Sequence, residues 1–212
     1  MSYNIVESTS RGKIVVASKD ILPGELILEE VPIIFVPPND PLKLSNEYAK
    51  YKGMLELITS FYLFMRDLNA EKQAVVLSLF GPTTGTTADN IRNMVLPDFK
   101  YRPDDHSPAR LLTAEEQEMF VKVVAVMKFN MFGAADGHAL YSGVTRFAHS
   151  CAANCHYRFN GTTLVCRASR HIKTGEEMTI SYVGERDTEP THARRYKYLL
   201  YKEFTCHCPR CD

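Results

Sequence analysis

The chain lacks an excess of charge of either sign and lacks long apolar runs. Its 212 residues hold 25 lysines and arginines against 25 aspartates and glutamates, so no overall positive charge favours nucleic acid or an anionic membrane as a partner. No run approaches the roughly 18 apolar residues of a membrane-spanning helix, and the first residues lack the pattern of a secretory signal. These absences predict a soluble, intracellular protein without membrane or direct nucleic-acid partners. We also expect a monomer, located in the nucleus or the cytoplasm.

Cysteine is also scarce, and half of it is concentrated at one end. Three of the six cysteines stand in the last seven residues, as Cys206, Cys208 and Cys211. In a reducing compartment a C-x-C-x-x-C cluster is better explained by a metal than by disulfides. One structural zinc ion needs four ligands, so the tail needs another thiol, and Cys151 is the candidate. Cys155 and Cys166 are interpreted as small buried apolar groups.

Strand patterns lie towards both ends of the chain. Runs rich in β-branched residues at 14–17 and 25–31, separated by Pro23-Gly24, predict a hairpin-like start. Similar patterns at 163–167 and 177–182 predict strands in the last third. No internal repeat or low-complexity segment interrupts this arrangement.

Helical patterns occupy the middle of the chain. Apolar residues at helical spacing predict one helix from residue 51 to 68 and a second over 70–80. Thr113, followed by Glu116 three residues later, has the spacing of a capping box and predicts a third helix. Residues 83–111, rich in Thr, Asp, Pro and Arg, predict a long loop.

Several segments, in order, resemble the SET domain of protein lysine methyltransferases. They are Ala17 to Ile21 with Pro23-Gly24-Glu25, His149-Ser150-Cys151 with Asn154, and the GEEMTISY run from Gly175 to Tyr182. The cysteine tail is similar to the post-SET element, with Phe204 two residues ahead of its first thiol. The likeness is strongest to the SET-MYND branch, without the MYND finger and the C-terminal helical repeats of that branch.

The resemblance implies a mixed α+β fold of the SET type. Such a fold has several small β-sheets with a knot-like C-terminal segment, and here it would carry a helical insert and a zinc-binding post-SET tail. The implied division is residues 1–44 and 128–200 for the two parts of the SET domain, 45–127 for the insert and 201–212 for the tail. The family uses the same four cysteine positions for zinc.

The resemblance also implies an activity. SET domains of this kind transfer a methyl group from S-adenosylmethionine to the side-chain amine of a lysine in a protein or peptide, such as a histone tail or a non-histone protein. Tyr182 would direct its hydroxyl toward the transferring methyl group, and Tyr201 or Tyr198 would line the lysine channel. The alternative for Tyr182 is a strand tyrosine packed on the core with its hydroxyl at the rim.

The residues that the resemblance assigns to the cofactor are spread along the chain. They are Gly12, Lys13, Ile14, Asn130, Ala148, His149, Tyr182 and Phe204. His149 would receive the adenine through its main chain, and Phe204 would pack on the adenine from the tail side. Asn130 near a helix end is equally explained as a cap, and Phe204 as core filling.

Two departures from the family pattern fall on these cofactor positions. Ile14 stands where the second glycine of a G-x-G loop belongs, unless an insertion aligns Ser10-Arg11-Gly12 instead, which loses the first glycine. Ala148 replaces an asparagine that bonds the cofactor, at a cost on the order of 1.5–3 kcal/mol. A second hypothesis is therefore a SET-like scaffold in a chromatin-associated complex. A third, a nucleic-acid zinc knuckle, has only Arg210 as a basic residue in its favour.

Overall fold

The structure is a computed structural model that describes residues 2–9, 12–38, 55–102, 108–183, 199–200 and 202–211. It contains two compact units. Unit 1 comprises Met1–Val31 together with Gly143–Asp212, and unit 2 comprises Pro32–Ser142. The chain therefore begins in unit 1, builds unit 2 and returns to unit 1. The implied division at residues 44, 127 and 200 stays a prediction.

Short strands and a helical middle make up the described part of the chain. In chain order the strands are Tyr3–Ser8 (β1), Gly12–Ala17 (β2), Leu26–Glu30 (β3), Ile34–Val36 (β4), Phe132–Ala134 (β5), Gly137–Leu140 (β6), Ala148–His149 (β7), Cys155–Asn160 (β8), Thr163–Ala168 (β9) and Thr179–Ile180 (β10). The α-helices are Leu55–Asp67 (α1), Ala70–Leu77 (α2), Thr86–Met94 (α3) and Ala114–Asn130 (α4). Single 3₁₀ turns cover Leu96–Asp98 and Val144–Arg146. This mixture confirms the predicted α+β class.

Unit 1 contains three small sheets in its described part. β1 pairs with β2, β9 lies between β3 and β8, and β7 runs parallel to β10. Alternate residues of β9, Leu164, Cys166 and Ala168, are buried, as expected for a strand with one face on the core. The strand predicted over 163–167 is confirmed. The strand predicted over 177–182 is confirmed only at β10, where it pairs with the segment that carries His149.

The predicted hairpin near the start of the chain is wrong. β2 pairs with the preceding strand β1, and β3 pairs with β9. The Pro23-Gly24 turn therefore does not join two paired strands. Instead, Gly24, at φ +80°, donates its N–H to the carbonyl of Ala168, the last residue of β9, at 2.8 Å. The turn therefore directs the chain to a distant strand, which local sequence does not reveal.

Unit 2 is built around α4, whose buried residues lie on most of its sides. The Phe120 ring packs against the rings of Phe61 of α1 and Phe99, with centroids 4.8 and 4.6 Å apart. A three-stranded sheet with the order β4, β6, β5 belongs to the same unit. Among the described residues, no helix has the length and apolarity needed to cross a membrane.

The three predicted helices are present, but the second is shorter than predicted. α1 lies within the predicted range, and the capping box of Thr113 and Glu116 starts α4. α2 begins at the predicted Ala70 but ends at Leu77 instead of continuing to residue 80. The loop predicted over 83–111 is wrong at α3. The polar helix α3 is held by buried Ala88 and Ile91, with Val95 buried directly after its last residue.

Candidate functional site

The four predicted zinc ligands come together in unit 1. Cys151 follows β7, whereas Cys206, Cys208 and Cys211 lie in the tail. The sulfur atoms all lie within 4.8 Å of one another, and Cys151 Sγ is 4.0 Å from Cys206 Sγ and 3.5 Å from Cys211 Sγ. Sulfurs at about 2.3 Å from a tetrahedral zinc ion stand about 3.8 Å apart, so the cluster fits a four-cysteine zinc site.

Two hydrogen bonds to backbone carbonyls hold the tail in this arrangement. The N–H of Cys211 donates to the carbonyl of Cys208 at 2.7 Å, and the Arg210 guanidinium donates to the carbonyl of Cys151 at 3.4 Å. Burial, followed by the hydrogen bond with Cys211, raises the pKa of the Cys151 thiol. Crowded thiols resist ionisation together unless a cation compensates their charge, and zinc would do so here.

Tyr182 lies two residues after β10 and turns its hydroxyl toward a backbone carbonyl. That hydroxyl donates a hydrogen bond of 2.7 Å to the carbonyl oxygen of Phe147. Burial raises the pKa of Tyr182 to about 12, so the phenol stays neutral around neutral pH. Because the hydroxyl proton is donated to Phe147, the oxygen lone pairs remain available to a neighbouring ligand.

His149 connects Tyr182 with the cysteine cluster. Its Nδ1 accepts the backbone N–H of Tyr182 at 3.0 Å, and its Nε2 lies 3.2 Å from Cys151 Sγ. Burial lowers the pKa of His149 to about 4, so the ring is neutral. A neutral ring that accepts at Nδ1 carries its proton on Nε2, which therefore donates to the sulfur of Cys151. Outer hydrogen bonds of this kind orient metal ligands.

Phe204 completes an aromatic group at the same place. Its ring centroid lies 5.8 Å from that of His149 and 6.3 Å from that of Tyr182, both edge to face, and the His149 and Tyr182 rings are 5.2 Å apart. The tail therefore brings one apolar ring to the residues that the resemblance assigns to the cofactor. A flat adenine ring packs well on such surfaces.

The predicted cofactor loop lies at the start of β2. Gly12 has φ +68°, and a Cβ there would meet nothing within 4 Å, so backbone conformation rather than crowding explains this glycine. Lys13 is exposed and Ile14 partly buried. β2 is hydrogen-bonded to the segment that leads to Tyr182, since the N–H of Met178 donates to the carbonyl of Val15 at 2.8 Å.

The remaining predicted residues are placed differently. Ala148 lies in β7 opposite Thr179, within the same unit as Tyr182. Asn130 is the last residue of α4 in unit 2, where its amide nitrogen donates to the carbonyls of Phe80 and Val126 at 2.6 and 2.7 Å. Tyr198 and Tyr201 lie outside the described residues.

One polar residue near the site has a role that sequence reasoning missed. Asn154, which is 2% exposed, accepts the N–H of Thr179 at 2.8 Å and donates to the carbonyl of Glu177 at 2.8 Å. It thereby holds β10 in place. The available signal in the sequence was its position three residues after the His149-Ser150-Cys151 motif.

The comparison with protein families agrees with this geometry. A SET domain profile matches residues 12–183. The chain belongs to the SET domain family. The matched range holds β7, β10, His149, Cys151 and Tyr182, whereas the tail cysteines follow it.

Curated SET proteins match the chain over parts of their length. It is 42% identical over 77 residues to the histone-lysine N-methyltransferase SMYD3 of Homo sapiens, a match that covers 36% of this chain and 17% of that protein. It is 30% identical over 112 residues to the N-lysine methyltransferase SMYD2 of Homo sapiens, covering 50% of this chain and 25% of that protein. The matched part is thus a quarter or less of these relatives. The predicted likeness to the SET-MYND branch is confirmed.

A solved structure shows the same fold. The structure of Rubisco LSMT bound to AdoMet aligns with 99% of this chain and 52% of that chain, at a TM-score of 0.54 and 14% sequence identity. At 14% identity the alignment is evidence for the fold alone. It confirms the SET-type fold that the sequence motifs implied.

Proposed function

We propose that the chain transfers a methyl group from S-adenosylmethionine to the side-chain amine of a lysine in a protein, histone or non-histone. The observation that carries the proposal is the neutral Tyr182 hydroxyl, donated to a backbone carbonyl beside His149 and Phe204 in a SET family chain. SMYD3 and SMYD2 are lysine methyltransferases by name, which supports the same reaction class. We also propose a monomer in the nucleus or the cytoplasm, acting on protein or peptide partners.

The chain contributes alignment and exclusion of water. S-adenosylmethionine supplies the electrophilic methyl group when it is bound, so no side chain has to activate it. Tyr182 acts as a hydrogen-bond acceptor for the lysine amine, because its own proton is donated to Phe147. That contact turns the nitrogen lone pair toward the methyl group, and alignment of this kind is a large part of catalysis. Tyr201 or Tyr198 would line the lysine channel.

The residues of unit 1 fit the cofactor in part. We propose contacts from Gly12, Lys13, Ile14, Ala148, His149, Tyr182 and Phe204. The aromatic group of His149, Tyr182 and Phe204 supports an adenine site. The contact predicted for Asn130 of unit 2 stays a prediction.

The proposed structural zinc ion joins the tail to β7. Cys151, Cys206, Cys208 and Cys211 would hold it. Through the hydrogen bond from His149 to Cys151, the ion would also fix the ring that accepts the Tyr182 N–H. The zinc site therefore supports the walls of the proposed cofactor site without taking part in the reaction.

One observation favours a second function. Ala148 has no side-chain hydrogen-bonding group where the family pattern has an asparagine, and this lowers the expected affinity for the cofactor. A domain that had lost that affinity would serve as a protein-binding scaffold. The two functions differ in whether S-adenosylmethionine binds at all.

Calorimetric titration of the zinc-loaded chain with S-adenosylmethionine separates these functions. We expect saturable binding, and we expect Phe204→Ala to weaken it about tenfold because one face of the adenine loses its aromatic contact. Phe159→Ala is the matched control, since it removes a half-buried ring of β8 that packs on Tyr157 instead. Absence of binding by the folded wild-type chain would contradict the enzyme and favour the scaffold.

A further inference from the structure

One carboxylate holds the start of the 3₁₀ turn that precedes β7. Glu30, the last residue of β3, accepts the N–H of Gly143 through Oε2 at 2.9 Å and the N–H of Val144 through Oε1 at 2.7 Å. The turn has no cap from its own neighbours, because the residue at its start is a glycine. Two charge-assisted bonds to adjacent N–H groups fix the position and direction of a short turn strongly.

The other end of this turn carries the carbonyl that receives the Tyr182 hydroxyl. Phe147 closes the turn with its N–H, which donates to the carbonyl of Val144 at 3.0 Å. Its ring is fully buried and packs edge to face on Tyr3 at 5.7 Å, and its carbonyl accepts the Tyr182 hydroxyl at 2.7 Å. The direction of that carbonyl is therefore set by the same short turn.

The packing around the Glu30 carboxylate leaves little room for movement. A Cβ added at Gly143 would lie 3.3 Å from each carboxylate oxygen of Glu30 and 3.2 Å from the hydroxyl oxygen of Tyr3. Contacts this short require the neighbours to shift by a few tenths of an ångström. A displacement of the carboxylate would therefore be passed on to the turn.

We propose that Glu30 is a positioning residue for methyl transfer, because it fixes through the turn and the Phe147 carbonyl the direction in which Tyr182 presents its hydroxyl oxygen. Glu30 acts indirectly, because the turn and the Phe147 carbonyl stand between its carboxylate and the Tyr182 hydroxyl. The inference rests on the proposed function of Tyr182 and adds a residue that the sequence motifs did not include.

The first test is spectroscopic and needs no substrate. The chain is labelled with tyrosine carrying ¹³C at Cζ, and the Tyr182 resonance is assigned as the one that Tyr182→Phe removes. Glu30→Gln puts an amide NH₂ against one of the two backbone N–H groups, so the turn shifts, and we expect the Tyr182 resonance to move. Glu29→Gln is the control, because it makes the same charge change at the exposed neighbouring residue of β3 and should leave the resonance in place.

The second test measures methyl transfer from labelled S-adenosylmethionine to a lysine-containing peptide library. We expect Glu30→Gln to lower kcat about tenfold or more with KM for S-adenosylmethionine unchanged, since misalignment affects the reaction and spares cofactor binding. Glu29→Gln should keep the wild-type kcat.

The outcomes separate the two claims. A wild-type chain without transfer contradicts the proposed function, whereas the Tyr182 resonance still tests the role of Glu30. A folded Glu30→Gln variant with an unmoved Tyr182 resonance overturns the inference. If Glu30→Gln does not fold, Gly143→Ala decides, because its added methyl group pushes on the same carboxylate and should move the same resonance.

Discussion

At the scale of single residues, Asn154 holds the segment that leads to Tyr182. Its amide is buried, it donates to the carbonyl of Glu177, and it accepts the N–H of Thr179. We expect Asn154→Ala to lower the free energy of unfolding by about 2–4 kcal/mol, because several buried polar groups lose their partner. Urea unfolding monitored by circular dichroism measures the loss.

Asn4→Ala is the matched control for this prediction. Asn4 is exposed in β1, so the same change of side chain should alter the free energy of unfolding by less than about 0.5 kcal/mol. Equal losses in the two variants would show that Asn154 does not hold β10 through its hydrogen bonds.

The residues that could be predicted from sequence are those whose chemistry comes with a recognisable pattern. Closely spaced thiols indicate a metal site, and the GEEMTISY run pointed to Tyr182. Glu30 carries no such pattern, because the N–H groups that it accepts lie 113 and 114 residues further along the chain. The contacts of His149 with Cys151 and Tyr182 could not be predicted either, since they depend on the orientation of the His149 ring in the folded chain.

At the scale of single elements, the start of α4 makes a pH-dependent prediction. The hydrogen bond with Arg110, followed by those with Thr113, holds the pKa of Glu116 at about 2, below its ordinary value of 4.5. A lowered carboxylate pKa stabilises the fold above 4.5, and this contribution is lost as the pH falls toward 2. At neutral pH we expect Glu116→Gln to lower the free energy of unfolding by about 1 kcal/mol.

The pH series distinguishes the capping box from a general effect of charge. The difference between wild type and Glu116→Gln should shrink as the pH falls from 4.5 toward 2, because in this range the carboxylate is protonated in the unfolded chain before it is protonated in the folded one. Glu115→Gln removes the same charge from an exposed position one residue earlier and should cost much less at every pH. A constant Glu116→Gln difference across this range would refute the role of the ionised carboxylate.

Elements with local signals could be predicted, and those without them could not. α4 begins with a capping box and continues with apolar residues, so the sequence predicts it. α3 has the polar sequence TTADNIRNM, and Ala88 and Ile91 are its buried apolar anchors. Its helix is stabilised by contacts with α4, which a local pattern does not contain. The pairing of β3 with β9 depends on topology in the same way.

At the scale of the whole molecule, zinc is predicted to tie the end of the chain to β7. Elemental analysis of protein purified without chelator should find about one zinc per chain, and Cys151→Ser should lose it. Cys166→Ala is the control, since Cys166 is a buried thiol of β9 outside the cluster and its removal should leave the zinc content unchanged. Chelation should expose the tail to proteolysis before the rest of unit 1. Zinc-free protein with an equally protected tail would contradict the site.

The proposed role of the Tyr182 hydroxyl is tested by transfer of a labelled methyl group from S-adenosylmethionine to a lysine-peptide library. We expect transfer by the zinc-loaded wild type and a rate about a hundredfold lower for Tyr182→Phe. Tyr62→Phe is the matched control and should keep the wild-type rate, because it removes another tyrosine hydroxyl donated to a carbonyl, that of Lys100 in unit 2. Equal rates for wild type and Tyr182→Phe would contradict this role of the hydroxyl, and no transfer by the folded wild type would contradict the proposed activity.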